Sequence, residues 1–524
     1  MSSKTPTAAT PSLNFLDNQE RWRMIDDLCG GTKSMRDAGN RWLPMEAKEE
    51  EVNYNVRKNR SVLYGALNDT INNSVSKPFS QPITLSETKI PDKLEGIEAN
   101  ADRNGQSLTS FASAAFKAAL KYGLTHAIVD YPAQLTDKDG NPVKRTRKDE
   151  KDEDIRPYFV HVPPTALIGY RTRTLQNGDE IVVQARIKSE EVVEDGSYGD
   201  KKIFRITVWS ETTIETWESD EDKDEKYVLK EAVNHTFGRV PLRTLYIERT
   251  GIMQADLPFE DLAWLNITHW QSFSDQRNIL RVARVPIVVA AGFTENEVGK
   301  NLTISTARFI RTKNPDATIK HVEHSGKAIE AGENDLMRLE ERMATLGMQP
   351  LIQSVGTQTA TGKAIDQAQT HTAIQAWIRE CETWLRSLYG VAAEWLDDEI
   401  HDDFTVSINN DFGFAINSGQ DVANLIAARK NGEITRRTFL HELKRRGLLG
   451  EGTNIDKELL DLEEETPPPD FGDDPTNVPV ADPEKKPDEK LDNKGDEPSK
   501  GPDGADKRKA SRKADRKSER KERA

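Results

Sequence analysis

A chain of 524 residues is long enough for two to four domains with a sizeable core. With 35% hydrophobic and 31% charged residues and a formal net charge of -15, it reads as a soluble protein; that acidity makes it a poor candidate for wrapping nucleic acid tightly by charge alone, though it does not exclude DNA as a passing partner. Its two cysteines, Cys29 and Cys381, fit neither a disulfide framework nor a metal spacing, which makes a reducing compartment the default.

Residues 1–18 are polar, lack the apolar stretch of a signal peptide and are expected to be disordered. From about 19 to 123 the pattern is helical. Val52, Val56, Leu63, Leu67 and Ile71 recur at multiples of about 3.6, as one buried stripe requires. A second helix is predicted from an N-cap at Ser107 to Tyr122, with Leu108, Phe111, Ala115 and Tyr122 on one side and Gly123 as a left-handed stop. LTHAIVDYP (124–132) reads as a strand, and 137–156 as a charged, turn-rich connection.

Between 157 and 248 the segments PYFVHVP, EIVVQARI, KIFRITVW, TIETWE and KYVLKE are parted by QNGDE, EDGSYGD and SDEDKDE, the signature of an antiparallel sheet. Phe204, Ile206 and Val208 alternate with Arg205, Thr207 and Trp209, the period of a half-buried strand. After Pro258, FEDLAWLNITHWQSFSDQRNILRVA predicts a helix about 38 Å long. The run VPIVVAAGF (285–293) then supplies a short strand and is too short to span a membrane. Mixed pieces over 294–330 precede a compact helix at 333–346 and a loop at 347–362. The longest helical pattern, about 363–399, carries Ile374, Trp377, Ile378, Cys381, Trp384, Leu388, Val391 and Trp395 at spacings of three or four. FTVSI (404–408) is a strand, and DVANLIAARKNG and ITRRTFLHELKRRG are helices closed by glycines. From 463 an acidic, proline-rich stretch and then a basic one cannot bury enough apolar surface to fold alone.

The loop sequence GTQTATGKAI (356–365) imitates a phosphate-binding loop and fails as one. Five residues rather than four part Gly356 from Gly362, Ala364 stands where the Mg²⁺-binding hydroxyl belongs, and the preceding MQPLIQSV is a poor central strand. His321 and His324 lack a third ligand, and DKDG (137–140) has its glycine at position four of a would-be calcium loop rather than six. Asp397, Asp398, Glu399, His401, Asp402 and Asp403 read as a solvated helix end. With no GxSxG, no Cys–His nucleophile arrangement and no catalytic carboxylate pair, the expectation is a protein that is not an enzyme and needs no cofactor or metal.

The ordered series GRVPLRTLYIER (238–249), the helix and VPIVVAAGF, the block from LEERMATL to GVAAEWL (339–396) and NGEITRRTFLHELKRRGLL (431–449) resembles the portal proteins of tailed bacteriophages. RWLP (41–44), YNVRKNRSVLYGALNDTI (54–71) and KPFSQPITL (77–85) are similar to the opening of a portal subgroup often described as phage protein of unknown function. The resemblance implies an α+β portal fold with long stem and tunnel helices, an antiparallel β wing, a small clip and a helical crown. On this chain it implies a wing at 19–256, a first stem helix at 257–284, a clip at 285–330 and a second stem helix at 331–347. A tunnel loop at 348–362, a long tunnel helix and wing return strand at 363–417, a crown at 418–462 and a disordered tail at 463–524 complete it.

The implied function is a head-to-tail connector: a homo-oligomeric ring, commonly of twelve subunits, at one capsid vertex of the virion, with its assembly in the host cytoplasm. The channel passes double-stranded DNA during packaging and ejection. Implied partners are the terminase large subunit, a head–tail adaptor and the major capsid or scaffold protein, without a membrane. A conduit must touch DNA without holding it, and each phosphate neutralised by Lys or Arg adds salt-sensitive affinity that a ring multiplies. Gln349, Gln353, Ser354, Thr357, Gln358, Thr359 and Thr361 place only neutral hydrogen-bonding groups in the loop, with Lys363 at its edge, so DNA should slide past. The last stretch, 507–524, holds ten Lys/Arg against three acids and either meets packaged DNA or stays masked by its acidic neighbour. Two other functions compete: a nucleotide-driven packaging subunit, which needs a working phosphate loop, and another minor head or adaptor protein of the virion.

Overall fold

The computed structural model describes residues 6–86, 90–132, 154–223, 226–284, 287–292, 314–316, 318–322, 326–347, 360–410, 419–445 and 455–464, with 449 and 453, and the backbone alone over 360–372. The chain divides into two units, Met1–Ile416 and Asn417–Ala524. Helices and antiparallel sheets are largely segregated along the first unit, which makes the fold α+β.

Four helices open it: α1 (Leu13–Cys29), α2 (Gly31–Ala38), α3 (Glu51–Arg60) and α4 (Ala66–Ser76). The stripe expected through 52–71 is split. Residues 61–65 are not helical, Val52 is exposed, and of the five apolar positions only Leu67 and Ile71 are fully buried. The break has a distant cause: Asn266 Oδ1 accepts the Leu67 N–H at 3.2 Å and Asn266 Nδ2 donates to Tyr64 O at 2.8 Å. Backbone groups that a continuous helix would pair internally are satisfied from outside, so α4 can start afresh.

After the short strand β1 (Thr84–Leu85), α5 (Leu108–Tyr122) follows its sequence signals closely. The Ser107 hydroxyl accepts from the Ser110 N–H at 3.3 Å, and Gly123 takes φ 82°. Only glycine serves there, because a Cβ would also lie 2.2 Å from Asp256 O.

Strand β2 (Leu124–Asp130) is the centre of a three-stranded antiparallel sheet, between β3 (Tyr158–Val162) and β9 (Leu242–Tyr246). Strands β4 (Leu167–Thr174), β5 (Glu180–Asp195), β6 (Gly199–Ser210), β7 (Thr213–Ser219) and β8 (Val228–Asn234) form a five-stranded antiparallel meander, each paired with its sequence neighbour. The alternation in β6 holds for Ile206 and Val208, but Trp209 on the opposite face is buried too. It packs in a cluster with Ile128, Val162 and Leu242 of the smaller sheet, so this part of the meander is covered on both faces.

Residues 6–18, expected to be disordered, are ordered because the other face of the meander requires a cover. Ala9 is buried with Ile168, Ile206, Val208 and Tyr227. The Ser12 N–H donates to Ile168 O at 2.8 Å, and Arg186 Nη1 donates to Thr10 O at 2.6 Å. A two-strand ribbon, β10 (Arg249–Gly251) with β11 (Gln254–Ala255), leads on to the long helices.

In the second unit, α9 (Gly419–Lys430), α10 (Arg436–Arg445) and α11 (Ile455–Glu464) follow one another, with Leu440 and Ile455 buried. Gly432 (φ 75°) ends the first, and Thr435 caps the second by accepting the Thr438 N–H at 3.1 Å. The tail from 465 lies outside the described residues, as does the charged connection of 137–156 up to residue 153.

Candidate functional site

The segment singled out by sequence holds a helix, a strand pair, a second helix and, beyond residues 348–359, a long helix. Its first member, α6 (Glu260–Ala283), is bound down along most of its length. Glu260 pairs with Arg21 of α1, Asn266 holds the start of α4, and Gln271 Nε2 donates to Trp42 O at 3.0 Å. Leu262, Ala263, Ile267 and Trp270 are buried in the main core. Past Gln276, Arg277, Asn278, Ile279 and Arg281 are exposed.

Strands β12 (Ile287–Ala291) and β13 (Thr318–Val322) pair antiparallel, Ile287 opposite Val322 and Ala291 opposite Thr318. Strand β13 falls among the mixed pieces of 294–330, where the stretch at His321 reads as strand or turn. Helix α7 (Lys327–Leu346) begins six residues before the compact helix read at 333–346. It runs antiparallel to α6: Gln276 meets Ile329 and Gly332, His269 meets Glu340, and Leu262 meets Gly347. The contact spans about 21 Å of the α6 axis and about 26 Å of the α7 axis.

Its geometry is set by one polar side chain and one missing one. Gln276 Nε2 donates to Ile329 O at 2.9 Å, and a Cβ at Gly332 would lie 2.1 Å from Gln276 Oε1. His269, almost wholly buried, has Nε2 3.2 Å from Glu340 Oε1 and lies between the rings of Tyr64 and Phe273.

Helix α8 (Ala360–Glu394) follows the loop, with β14 (Val406–Ser407) beyond it pairing back to β1. The helix begins three residues before the expected 363 and ends five before 399. There Leu396 and Asp398 donate N–H groups to Ala393 O and Asp397 takes φ 53°, a left-handed turn that stops the helix. From Ile374 on, α8 is a core helix. Trp384 stacks on Phe111 (6.2 Å, 4°) and donates Nε1–H to Arg243 O at 3.2 Å, and Trp395 beyond its end donates to Val129 O at 2.9 Å. Glu382 accepts the Ile408 N–H at 2.8 Å; burial pushes its carboxyl up despite that bond.

Of the loop residues, Gln349, Gln353, Ser354, Thr357, Gln358 and Thr359 lie outside the described residues. Thr361 and Lys363 fall in the first turn of α8, so they belong to the helix rather than to the connection. The flanks are tied down: Met343 is buried, a Cβ at Gly347 would lie 2.5 Å from Thr70 Oγ1, and Ile374 is buried on the other side.

The remaining sequence candidates are not assembled into a centre. His321 is in β13 and His324 lies outside the described residues; among the described residues no three His, Cys, Asp or Glu side chains converge as metal ligands. In the acidic helix end, His401 Nδ1 sits 3.3 Å from Asp403, both exposed. Cys29 and Cys381 are free thiols. Among the described residues no helix is long and apolar enough to cross a membrane. What sequence reading overlooked is a set of arginines on α3 and α6; Arg277 and Arg281 do stand one helical turn apart, but their partners on α3 are more than two hundred positions away.

Residues 258–396 match a domain of unknown function, DUF4055. No curated protein matches the chain. Among solved structures, the chain is similar to the neck of a native GTA particle computed with C12 symmetry, at 12% identity and a TM-score of 0.39, over 74% of this chain and 89% of that one. It is similar to the neck of an empty GTA particle computed with C6 symmetry (10%, 0.40, 76% and 90%) and to the virion of a native gene transfer agent particle (11%, 0.35, 75% and 89%). Similarity of this degree assigns no role to the chain.

Proposed function

We propose that this chain is the portal subunit of a tailed-phage-type head, a ring-forming connector whose central channel carries double-stranded DNA. The observation behind the reading is the order α6, antiparallel strand pair, α7, short connection, α8, with α6 and α7 packed antiparallel and α8 rooted in the core. Such an order suits a subunit that must project a hairpin from one end of an anchored helix pair and a loop from the other. In this reading α6 and α7 are the stem, β12–β13 and the residues between them are the clip, and 348–359 is the tunnel loop. The clip would receive the terminase large subunit and later a head–tail adaptor, and the outer wing would face the capsid or scaffold protein.

The loop would work by what it lacks. Gln349, Gln353, Ser354, Thr357, Gln358 and Thr359 bring no charge, so a ring of them would exchange hydrogen bonds with phosphates and water at little net cost.

Negative-stain microscopy of the purified full chain tests the reading. Rings with a central hole are expected; a monomer or an open aggregate across a range of concentrations and salt would overturn it.

A further inference from the structure

Between α3 and α6 lies a small open concavity lined by Val56, Arg57, Arg60, Ser274, Arg277, Asn278 and Arg281. It is open to solvent and too small to enclose a whole organic ligand, so any occupant would sit at its mouth, between the arginine side chains. Arg57 is committed: its Nε and Nη2 hold Glu49 at 2.8 and 2.7 Å, and its Nη1 is 3.7 Å from Asp275. Arg60, Arg277 and Arg281 have no carboxylate partner among the described residues. At the same place the Ser274 hydroxyl is buried, 1% exposed, with no hydrogen-bond partner. A buried hydroxyl left unmatched is costly, and here it lines a cavity ringed by uncompensated guanidinium groups.

We propose that this concavity is a phosphate-binding site. Arg60, Arg277 and Arg281 supply charge-assisted donors, and Ser274 and Asn278 supply neutral ones. Three uncompensated cations favour a phosphate over a carboxylate, which carries a single negative charge. Guanidinium groups present donors in a fixed fork that matches phosphate oxygens. The site is built whether or not the chain forms a ring.

Titration of inorganic phosphate into the full chain, by calorimetry at low ionic strength with chloride at matched ionic strength as control, tests it. Saturable binding is expected, weakened about tenfold or more in the Arg277→Gln/Arg281→Gln variant, whose substitutions are on the surface. Ser274→Ala should weaken phosphate several-fold while leaving the melting temperature of the free protein unchanged or higher, because it removes an unmatched hydroxyl. A response to phosphate no larger than to chloride, or undiminished affinity in the arginine variant, would overturn the proposal. So would a Ser274→Ala protein that melts lower yet binds phosphate as before. A short DNA duplex that competes with phosphate assigns the group to a nucleic-acid backbone; phosphate binding without competition assigns it to a free phosphate.

Discussion

Gln276 and Gly332 are a matched pair: the amide of one crosses the helix contact through space that a side chain on the other would occupy, 2.1 Å from Gln276 Oε1. Gln276 is buried and tied to Ile329 O, so it cannot simply swing aside. Gly332→Ala should therefore lower stability by about 1 kcal/mol: displacing the buried amide costs about 1–3, offset by about 1 from the better helix former. In a Gln276→Ala background the same substitution should stabilise instead. Urea unfolding of the four proteins checks the sign reversal, and a Gly332→Ala protein already more stable than the parent would contradict it.

Gly123 is constrained twice, by φ 82° and by the backbone of Asp256 2.2 Å from where a Cβ would be. Gly123→Ala should cost at least about 2 kcal/mol, since backbone rather than a flexible side chain must move. Gly65, with nothing within 4 Å of its Cβ position and φ -78°, is the control and should tolerate alanine. Equal melting temperatures for the two variants would refute this reading of the α5 stop.

His126 and His161 both lie in the three-stranded sheet and are held neutral. Burial lowers His126 to about 3, with His161 adding to the effect, and burial lowers His161 to about 4. The unfolded chain binds these protons near pH 6.5 and the folded chain does not, so stability is complete above that pH and falls as pH drops towards 4. The slope should be on the order of 1 kcal/mol per pH unit for each histidine. Unfolding measured between pH 7 and 5 should show this loss, and His161→Gln should roughly halve its slope. A pH-independent midpoint over that range would rule it out.

Cys381 is fully buried and burial pushes its thiol above the usual range; Cys29, half-buried, is raised to about 11, chiefly by burial. Thiolate is the reactive form, so neither should react quickly with a disulfide reagent at neutral pH. Both should titrate after denaturation. A rapid native-state reaction of either would show that the packing around it opens readily.

In the channel reading, charge added to the loop should convert gliding into gripping. Gln353→Lys with Gln358→Lys should tighten duplex binding by assembled rings and steepen its salt dependence, by about 0.9 in logarithmic slope for each phosphate contacted. Fluorescence anisotropy over a salt series reads this directly. Rings whose affinity and slope do not change would remove the loop from the channel.

Local signals carried far. Ser107 and Gly123 fixed both ends of α5 because an N-cap hydroxyl and a left-handed glycine act within a few residues. The turn clusters between β4 and β8 set the meander, since each strand pairs with its neighbour in sequence. The spacing of Ile374, Trp377, Ile378, Cys381, Trp384 and Leu388 marked α8 as a core helix, because one helix repeat decides which side chains share a face. Composition gave the acidity, and the succession of helical and strand patterns gave the run of helices and antiparallel strands.

Where two distant segments must meet, the sequence is silent and tertiary structure decides. The start of α4 depends on Asn266, 199 positions from Leu67; the order of residues 6–18 depends on Ile168 and Arg186; and the arginine concavity needs α3 beside α6. In each case the groups come together only after the chain has folded back on itself. No periodicity records such a meeting, because the free energy belongs to the contact and not to either stretch alone.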